Sequence, residues 1–263
     1  LVDLPVYPFE HQRFWPRPRR GGDVYAVGQR PSEHPLVSAV VEAPADGGLV
    51  LTGRLSLDEH PWLADHSVDG RVLFPGSGLV DLALSAASRF GRYAVDELVL
   101  AEPLVLDHRP VLLRVSVGAA QDDGRRPVRV HAGTEDDSEW TEHATGVLAA
   151  KPEHGAPAPT TQWPPPEAEP IPLDGHYERL AERGYGYGPA FRGLRAAWRH
   201  GEEIHAEVEV PEQGDEGYAI HPVLLDAAAQ QPANEVQKLL GDFWATGLDE
   251  AAVEADGSRP IAP

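Results

Sequence analysis

The segment from His66 to Pro75, HSVDGRVLFP, decides the fold, because a helical apolar pattern begins directly behind it. The run from Leu79 to Ala87 is apolar on most sides of a helix, and such a helix is buried in a protein interior. On either side of it, residues 49–57 and 111–117 alternate apolar and polar side chains with the period of half-buried strands. The sequence therefore predicts an α+β unit over residues 34–150, in which a sheet wraps around one buried helix.

A second unit with the same arrangement is predicted over residues 173–263. A short helix over 173–183 closed by Gly184, a strand over 204–210 and a helix over 224–240, interrupted at Pro232, follow one another. Residues 151–172 hold eight prolines, so we expect a linker without packed elements there. The chain is thus interpreted as two halves, each a sheet with a helix.

Composition limits the function classes. The net charge of −20 disfavours nucleic acid and anionic membranes as partners, and the absence of Cys excludes thiolate catalysis and Cys-ligated zinc. The sequence contains no run of 18 apolar residues, so no membrane-spanning helix is predicted. Residues 1–33 carry a net charge of +1 and apolar groups spaced by prolines, which favours an extended linker over another domain's surface, with a disordered tail as the alternative. Because the chain starts at Leu1 and contains no Met, we expect a piece of a longer polypeptide.

Two residues have the properties of an acid/base pair. His66 precedes the sharp turn at Pro75 and Gly76 and the start of the buried helix, where backbone N–H groups and the helix dipole form an oxyanion site. Asp226 follows the apolar segment HPVLL and precedes three alanines, so we expect a partly buried carboxyl with a raised pKa. A structural role for His66 and a helix-capping role for Asp226 are the alternatives.

Other polar motifs indicate less. His60 and His66 are six residues apart, which suits no metal site, and no metal-binding cluster stands out in the sequence. The segment GSG at 76–78 lacks the Gly-x-Ser-x-Gly pattern of a serine hydrolase. The segment YGYGPAF at 185–191 indicates a specific backbone path with aromatic rings directed into a pocket, or else a plain turn beside core aromatics.

Together these motifs resemble the dehydratase domain of bacterial modular type I polyketide synthases. The His-x3-Gly-x4-Pro segment 66–75, the Tyr-Gly-Pro-x-Phe segment 187–191 and the Asp-x3-Gln segment 226–230 match the family's three motifs in order. His34-Pro35-Leu36 is similar to the family's opening, and residues 8–15 are similar to a linker after an acyltransferase domain. Residues 242–263 depart from the family pattern, because 242–244 and 251–263 match the family's final segments only weakly.

The resemblance implies a double hotdog fold and the dehydration of a β-hydroxyacyl thioester carried on an acyl carrier protein. It implies that His66 is the base and Asp226 the acid, with Gln230 holding Asp226. Gly76, after Pro75, would polarise the thioester carbonyl, and Tyr187, before Gly188, would orient the hydroxyl. It also implies no metal or cofactor of the domain itself, because phosphopantetheine belongs to the carrier. The implied setting is a homodimeric cytoplasmic multienzyme with neighbouring domains, of the kind that makes antibiotics.

Other functions stay open at this point. The same pair could shift a double bond or cyclise a hydroxyl onto an enoyl group, or the domain could be catalytically silent and structural. Docking of an acidic carrier onto an acidic domain requires a local basic patch or tethering. Arg192, Arg195 and Arg199 would share one face of a helix but would not all share a face of a strand. A solvated charged surface is the alternative for these arginines.

Overall fold

The computed structural model describes residues 24–135, 139–151, 162–209 and 217–230. Most of the predicted linker over 1–33, the helix continuation after residue 230 and the departing segment 242–263 lie outside the described residues. Of the helices in these ranges, none has the length and apolarity that crossing a membrane requires.

The first half forms one large antiparallel sheet around a helix. The strands and the helix of this half are β1 (Arg30–Pro31), β2 (Ala39–Ala43), β3 (Gly48–Leu55), β4 (His66–Val68), β5 (Arg71–Val72), α1 (Gly76–Ser88), β6 (Tyr93–Leu100), β7 (Val111–Val117), β8 (Arg126–Gly133) and β9 (Thr141–Ala150). Seven strands pair in the order β1-β2-β3-β7-β8-β9-β6. The predicted strands 49–57 and 111–117 appear as β3 and β7, and the short strand β1 extends the sheet into the segment predicted as a linker.

The core of this half lies between α1 and the concave face of the sheet. From the helix, Leu79, Leu82 and Ala86 are fully or almost fully buried, and Leu51, Val115 and Val130 meet them from alternate positions of the strands. Because apolar and polar side chains alternate along each strand, one face of the sheet is buried and the other is not. The helix lies against the buried face and is itself apolar on most sides, so it is buried nearly all round. The predicted helix inside a sheet is confirmed.

The second half is smaller in the described residues. Its elements are β10 (Glu169–Pro170), α2 (His176–Ala181), β11 (Tyr185–Tyr187), β12 (Leu194–His200), β13 (Glu203–Val208) and α3 (Pro222–Ala229). β10, β12 and β13 form a three-stranded sheet, and α3 contacts both β13 and α1. Gly184, with φ of 89°, follows α2 as predicted, although α2 begins at His176 rather than Leu173.

One prediction about this half is wrong. The proline-rich segment was expected to hold no packed element, but Glu169 and Pro170 pair with Arg199 and Trp198 as β10. Proline is compatible with this edge position because only one side of an edge strand takes part in the sheet. The structure also decides between the two cases left open for the arginines, because Arg192 follows a 3-10 turn over Pro189–Phe191 and β12 carries Arg195 and Arg199.

A third small sheet joins the two halves, in the order β11-β4-β5. β11 runs antiparallel to β4, so that Tyr187 lies opposite His66 and Tyr185 lies opposite Val68. This pairing brings the predicted histidine motif and the predicted tyrosine motif to one place.

Candidate active site

The backbone around His66 fixes which ring nitrogen can act as a base. His66 is 3% exposed, and its Nδ1 lies 2.9 Å from the carbonyl oxygen of Leu73. A carbonyl oxygen only accepts hydrogen bonds, so Nδ1 carries the proton in the neutral ring. The turn that returns Leu73 to His66 has positive φ at Asp69 and Gly70, where Gly70 adopts the left-handed conformation without strain. Nε2 therefore keeps its lone pair, as a base requires.

Asp226 lies on α3, and its position follows from how that helix begins. His221 caps the helix by accepting a hydrogen bond at Nδ1 from the N–H of Val223, and Pro222 occupies the first turn. One turn further along, Asp226 is buried, with 7% of its surface exposed. Its Oδ1 lies 3.8 Å from Nε2 of His66. The structure thus brings together the two residues on which the predicted acid/base pair rests.

Gln230 determines how Asp226 is protonated. Its Nε2 donates a hydrogen bond of 2.6 Å to Oδ2 of Asp226, and Gln230 is only 1% exposed. Burial raises the pKa of Asp226 above its ordinary value, while His66 and then the Gln230 hydrogen bond partly oppose this rise. Because Oδ2 is occupied as an acceptor, the proton of the neutral acid belongs on Oδ1, which is the oxygen that faces His66.

Aromatic rings form the wall beside the pair. The ring of Phe191 lies 5.0 Å from that of His66, and the ring of Tyr187 lies 5.7 Å from it. Burial raises the pKa of Tyr187 well above its ordinary value, and the negative charge of Asp226 adds to this shift. The Tyr187 hydroxyl is therefore neutral and able to donate a hydrogen bond near the pair.

Asp65, the residue before His66, holds the tyrosine motif in place and was missed by sequence reasoning. Its backbone oxygen accepts a 2.7 Å hydrogen bond from the N–H of Gly188, and its Oδ2 accepts a 2.8 Å bond from the N–H of Ala190. A Cβ atom at Gly188 would overlap the Asp65 carboxylate, which explains the glycine. Its place beside the histidine was the only signal in the sequence.

Pro75 and Gly76 form the start of α1. Pro75 is the N-cap with ψ of 143°, and Gly76 is the first residue of the helix, where N–H groups have no partner within the helix. Leu73, whose carbonyl oxygen accepts the hydrogen bond from the His66 ring, is three residues before Gly76. The same short segment therefore positions both the histidine ring and the N-terminus of α1. Gly78 packs on the buried Phe74 ring, which a Cβ atom would approach to 2.6 Å.

One cluster among the described residues could hold a metal ion: His200, Glu203 and His205 bring ligand atoms within 4.8 Å of one another. The sequence patterns did not predict it, because the residues meet only through the register of β12 and β13. The cluster lies at an exposed hairpin, on elements that carry neither His66 nor Asp226, and it belongs to no step described below.

Fold and site together define a hotdog-type domain in which buried His66 on β4 faces buried Asp226 on α3. Comparison with known proteins identifies the family of this domain. A family model of the polyketide synthase dehydratase domain matches residues 34–133, and one described as the polyketide synthase dehydratase N-terminal domain matches residues 155–234. The chain belongs to the polyketide synthase dehydratase domains, and the predicted family is confirmed.

Relatives agree with this membership. Erythronolide synthase EryA2 of Saccharopolyspora erythraea is 56% identical over 233 residues, which is 87% of this chain and 6% of that protein. The pikromycin polyketide synthase component PikAII of Streptomyces venezuelae is 49% identical over 87% of this chain and 6% of its own length. The chain therefore spans only a small part of these multidomain proteins.

Solved structures agree as well. A dehydratase structure from work on the borrelidin and fluvirucin polyketide synthases is 50% identical, with a TM-score of 0.75 over 80% of this chain and 76% of that one. The crystal structure of the erythromycin dehydratase is 54% identical, with a TM-score of 0.74 over 79% and 78%. These neighbours confirm the predicted double hotdog fold.

Proposed function

We propose that this domain removes water from a β-hydroxyacyl thioester carried on an acyl carrier protein, leaving an α,β-unsaturated thioester. One observation carries the proposal: Nε2 of His66 lies 3.8 Å from Oδ1 of Asp226, a buried carboxyl group whose pKa is raised by its burial. The substrate has its acidic hydrogen and its leaving hydroxyl on adjacent carbons, so one buried pair can reach both.

The reaction balances with these two groups alone. Nε2 of His66 takes the α-proton, and the electron pair of that C–H bond forms the double bond as the β-carbon–oxygen bond breaks. Asp226 gives the proton on Oδ1 to the departing hydroxyl, which leaves as water. The products are an imidazolium and a carboxylate facing each other, and transfer of the proton from His66 to Asp226 restores the starting state.

Two further groups assist charge and orientation in this proposal. The N–H of Gly76, at the positive end of α1, stabilises the negative charge that develops on the thioester oxygen. The neutral Tyr187 hydroxyl donates to the β-hydroxyl and directs it towards Asp226. Pro75 and Gly188 shape the backbone that carries these two donors.

The other readings of the sequence gain no support from a specific observation. Isomerisation and cyclisation use the same pair, and nothing in the described residues favours them over water loss. A silent structural domain gives no physical reason for a buried His and Asp that face each other at 3.8 Å, because a purely structural pair would close to a direct hydrogen bond.

The proposed partners are the carrier protein and the neighbouring domains of one polypeptide, in a cytoplasmic homodimer. The relatives' multidomain architecture supports the neighbouring domains. Arg192 is the best-placed cation for the carrier, since its Nε donates 2.8 Å to the backbone oxygen of Tyr187, next to the pair. Arg195 instead pairs with Glu209 at 2.6 Å.

Charge reversal tests this contact. Arg192→Glu should slow the reaction of a carrier-bound substrate while leaving a small free thioester unaffected, and Arg199→Glu, farther along β12, is the matched control. Equal effects of Arg192→Glu on both substrates, or none, would remove the patch and leave tethering as the means of encounter.

The proposed function itself is tested with the isolated domain and a carrier loaded with a racemic β-hydroxyacyl chain. Mass spectrometry should show loss of one water from one enantiomer. The same experiment with Asp226→Asn should show no loss. A wild-type domain that folds and leaves both enantiomers intact would overturn the proposal.

A further inference from the structure

Asp81 is a fully buried carboxylate on α1 that the reaction does not use. It is 0% exposed, yet both oxygens accept hydrogen bonds. Oδ1 accepts from the backbone N–H groups of Ala219 at 2.8 Å and Ile220 at 3.1 Å. Oδ2 lies 2.7 Å from Nε2 of His34. A carboxylate in such a position must be compensated by its neighbours, so the surrounding donors define its role.

The His34 ring is a donor to Asp81. Its Nδ1 accepts a 3.1 Å hydrogen bond from the N–H of Leu36, so the ring proton belongs on Nε2, which faces Asp81. Asp81 therefore faces three donors that come from two distant parts of the chain. One is the opening segment before β2, and the other is the segment that leads into α3.

The second of these contacts reaches the active site. Ala219 and Ile220 directly precede His221, the N-cap of α3, and Asp226 is on the second turn of that helix. Asp81 thus fixes the start of α3 against α1, the helix whose N-terminus adjoins His66. A shift of α3 along α1 would change the 3.8 Å separation between His66 and Asp226.

An aromatic cluster reinforces the same junction. The ring of Tyr218 packs against His34 at 5.4 Å and against His221 at 4.6 Å. Trp62 packs on His221 at 5.5 Å and on Phe191 at 5.9 Å, and Phe191 in turn packs on His66. Rings therefore connect the junction at Asp81 to the catalytic histidine without a gap.

The two central helices carry their aspartates in similar contexts: Leu79-Val80-Asp81-Leu82-Ala83 on α1 and Leu224-Leu225-Asp226-Ala227-Ala228 on α3. Each aspartate faces a histidine. The His34–Asp81 pair is closed by direct hydrogen bonding at 2.7 Å, whereas the His66–Asp226 pair stands at 3.8 Å. The His34–Asp81 pair therefore has the geometry of a structural hydrogen bond. The His66–Asp226 pair has the wider separation of two groups that can both reach a bound substrate.

We propose that Asp81, held by His34, is a positioning residue that sets the distance between His66 and Asp226 by fixing the start of α3 on α1. This inference rests on the proposed dehydration for its kinetic consequence, but the clamp itself is independent of any activity. The proposal concerns the junction of α1, residues 219–220 and His34.

Asp81→Asn is the sharpest test, because it keeps the size of the side chain. An asparagine must turn its amide nitrogen towards either the His34 N–H or the backbone N–H groups, so one donor meets another donor. Leu148→Ala on β9 is the matched control, since Leu148 is fully buried in the core and lies opposite Val95 and Arg126 in the large sheet, away from the hydrogen bonds of Asp81.

Hydrogen–deuterium exchange gives the readout that does not depend on catalysis. In Asp81→Asn, the amides of residues 219–226 should exchange about tenfold faster or more than in the wild type. In Leu148→Ala, the same amides should exchange no faster than the overall loss of stability of that variant accounts for. Should Asp81→Asn fail to fold, His34→Leu removes one of the three donors to Asp81, together with the acceptor of the Leu36 N–H, and should produce a smaller change in the same segment. Unchanged exchange of this segment in the folded variant would overturn the clamp.

Kinetics then separates positioning from simple destabilisation. Asp81→Asn should lower kcat about 10- to 100-fold with KM within about twofold, because Asp81 touches no substrate but a displaced acid slows proton transfer. Leu148→Ala, assayed where it is fully folded, should keep its kcat. Equal kcat losses in both variants would reduce Asp81 to a stability role. A wild-type domain without activity would sink the proposed function and leave the exchange experiment to decide on the clamp.

Discussion

Nε2 of His66 and Oδ1 of Asp226 lie 3.8 Å apart, although the two residues come from opposite halves of the chain. This separation is too long for a direct hydrogen bond and suits two groups that act on adjacent carbon atoms of one substrate. Both side chains have second contacts, His66 through Nδ1 to Leu73 and Asp226 through Oδ2 to Gln230, so that Nε2 and Oδ1 are the atoms that face each other.

His66→Phe should lower the rate of water loss about 10²- to 10⁴-fold, since it removes the base while keeping an aromatic ring beside Phe191 and Tyr187. The measurement is single-turnover conversion of a carrier-bound substrate. Circular dichroism of the variant should match the wild type. Retained activity in the folded variant would show that another group removes the proton.

Asp226→Asn should lose activity and gain stability at neutral pH. Burial raises the pKa of Asp226 in the folded state, so the folded state holds this proton more tightly than the unfolded chain. The domain therefore loses stability as pH rises from the ordinary carboxyl value of about 4 through the raised value. An asparagine has no such dependence, so the stability difference in urea unfolding should favour the variant increasingly as pH rises. A stability difference between variant and wild type that does not change with pH across this range would contradict the raised pKa.

The pH dependence of kcat should respond to Gln230. In the proposed mechanism, activity falls at high pH when Asp226 loses its proton, and the Gln230 hydrogen bond lowers the pKa of Asp226. Gln230→Met keeps the volume and removes that bond, so the alkaline limb of the kcat profile should move to higher pH. A limb that moves to lower pH, or stays in place, would argue against Asp226 as the group that titrates.

Tyr187→Phe should reduce kcat about tenfold, the effect of losing one hydrogen bond to the reacting hydroxyl. The stacked rings of Tyr185 and Phe191 should keep the phenyl ring in place, so unfolding temperature should change little. An unchanged kcat would assign Tyr187 to the wall of the site alone.

Gly188→Ala should destabilise the domain by about 1–3 kcal/mol and lower activity, because the added methyl group overlaps the Asp65 carboxylate. Asp65→Ala in the same protein removes the obstacle and should restore part of the stability lost to the alanine, at the expense of the hydrogen bond to Ala190. Strictly additive losses in the double variant would show that the two residues do not interact in this way.

Local sequence patterns predicted the elements that form one buried face, because burial imposes a period on the chain. This holds for α1, with its apolar residues from Leu79 onward, and for β3 and β7. The same patterns could not predict β10, since its pairing depends on the exposed edge of β12 rather than on its own residues.

The site divides in the same way. His66 and Asp226 are visible in the sequence because their motifs lie beside helix starts, and the resemblance supplied their roles. Asp65 and Asp81 are not visible, because each acts through backbone N–H groups far away in the sequence. Such contacts leave no periodic signal, so only the fold shows them.

The most direct test of the acid/base pair is a double-mutant cycle on the rate of water loss, with His66→Phe, Asp226→Asn and both together on one carrier-bound substrate. If the two residues act in one proton-transfer unit, the double variant loses no more activity than the more impaired single variant. Losses that multiply, with each single variant retaining substantial turnover, would show that His66 and Asp226 act separately and would contradict the mechanism.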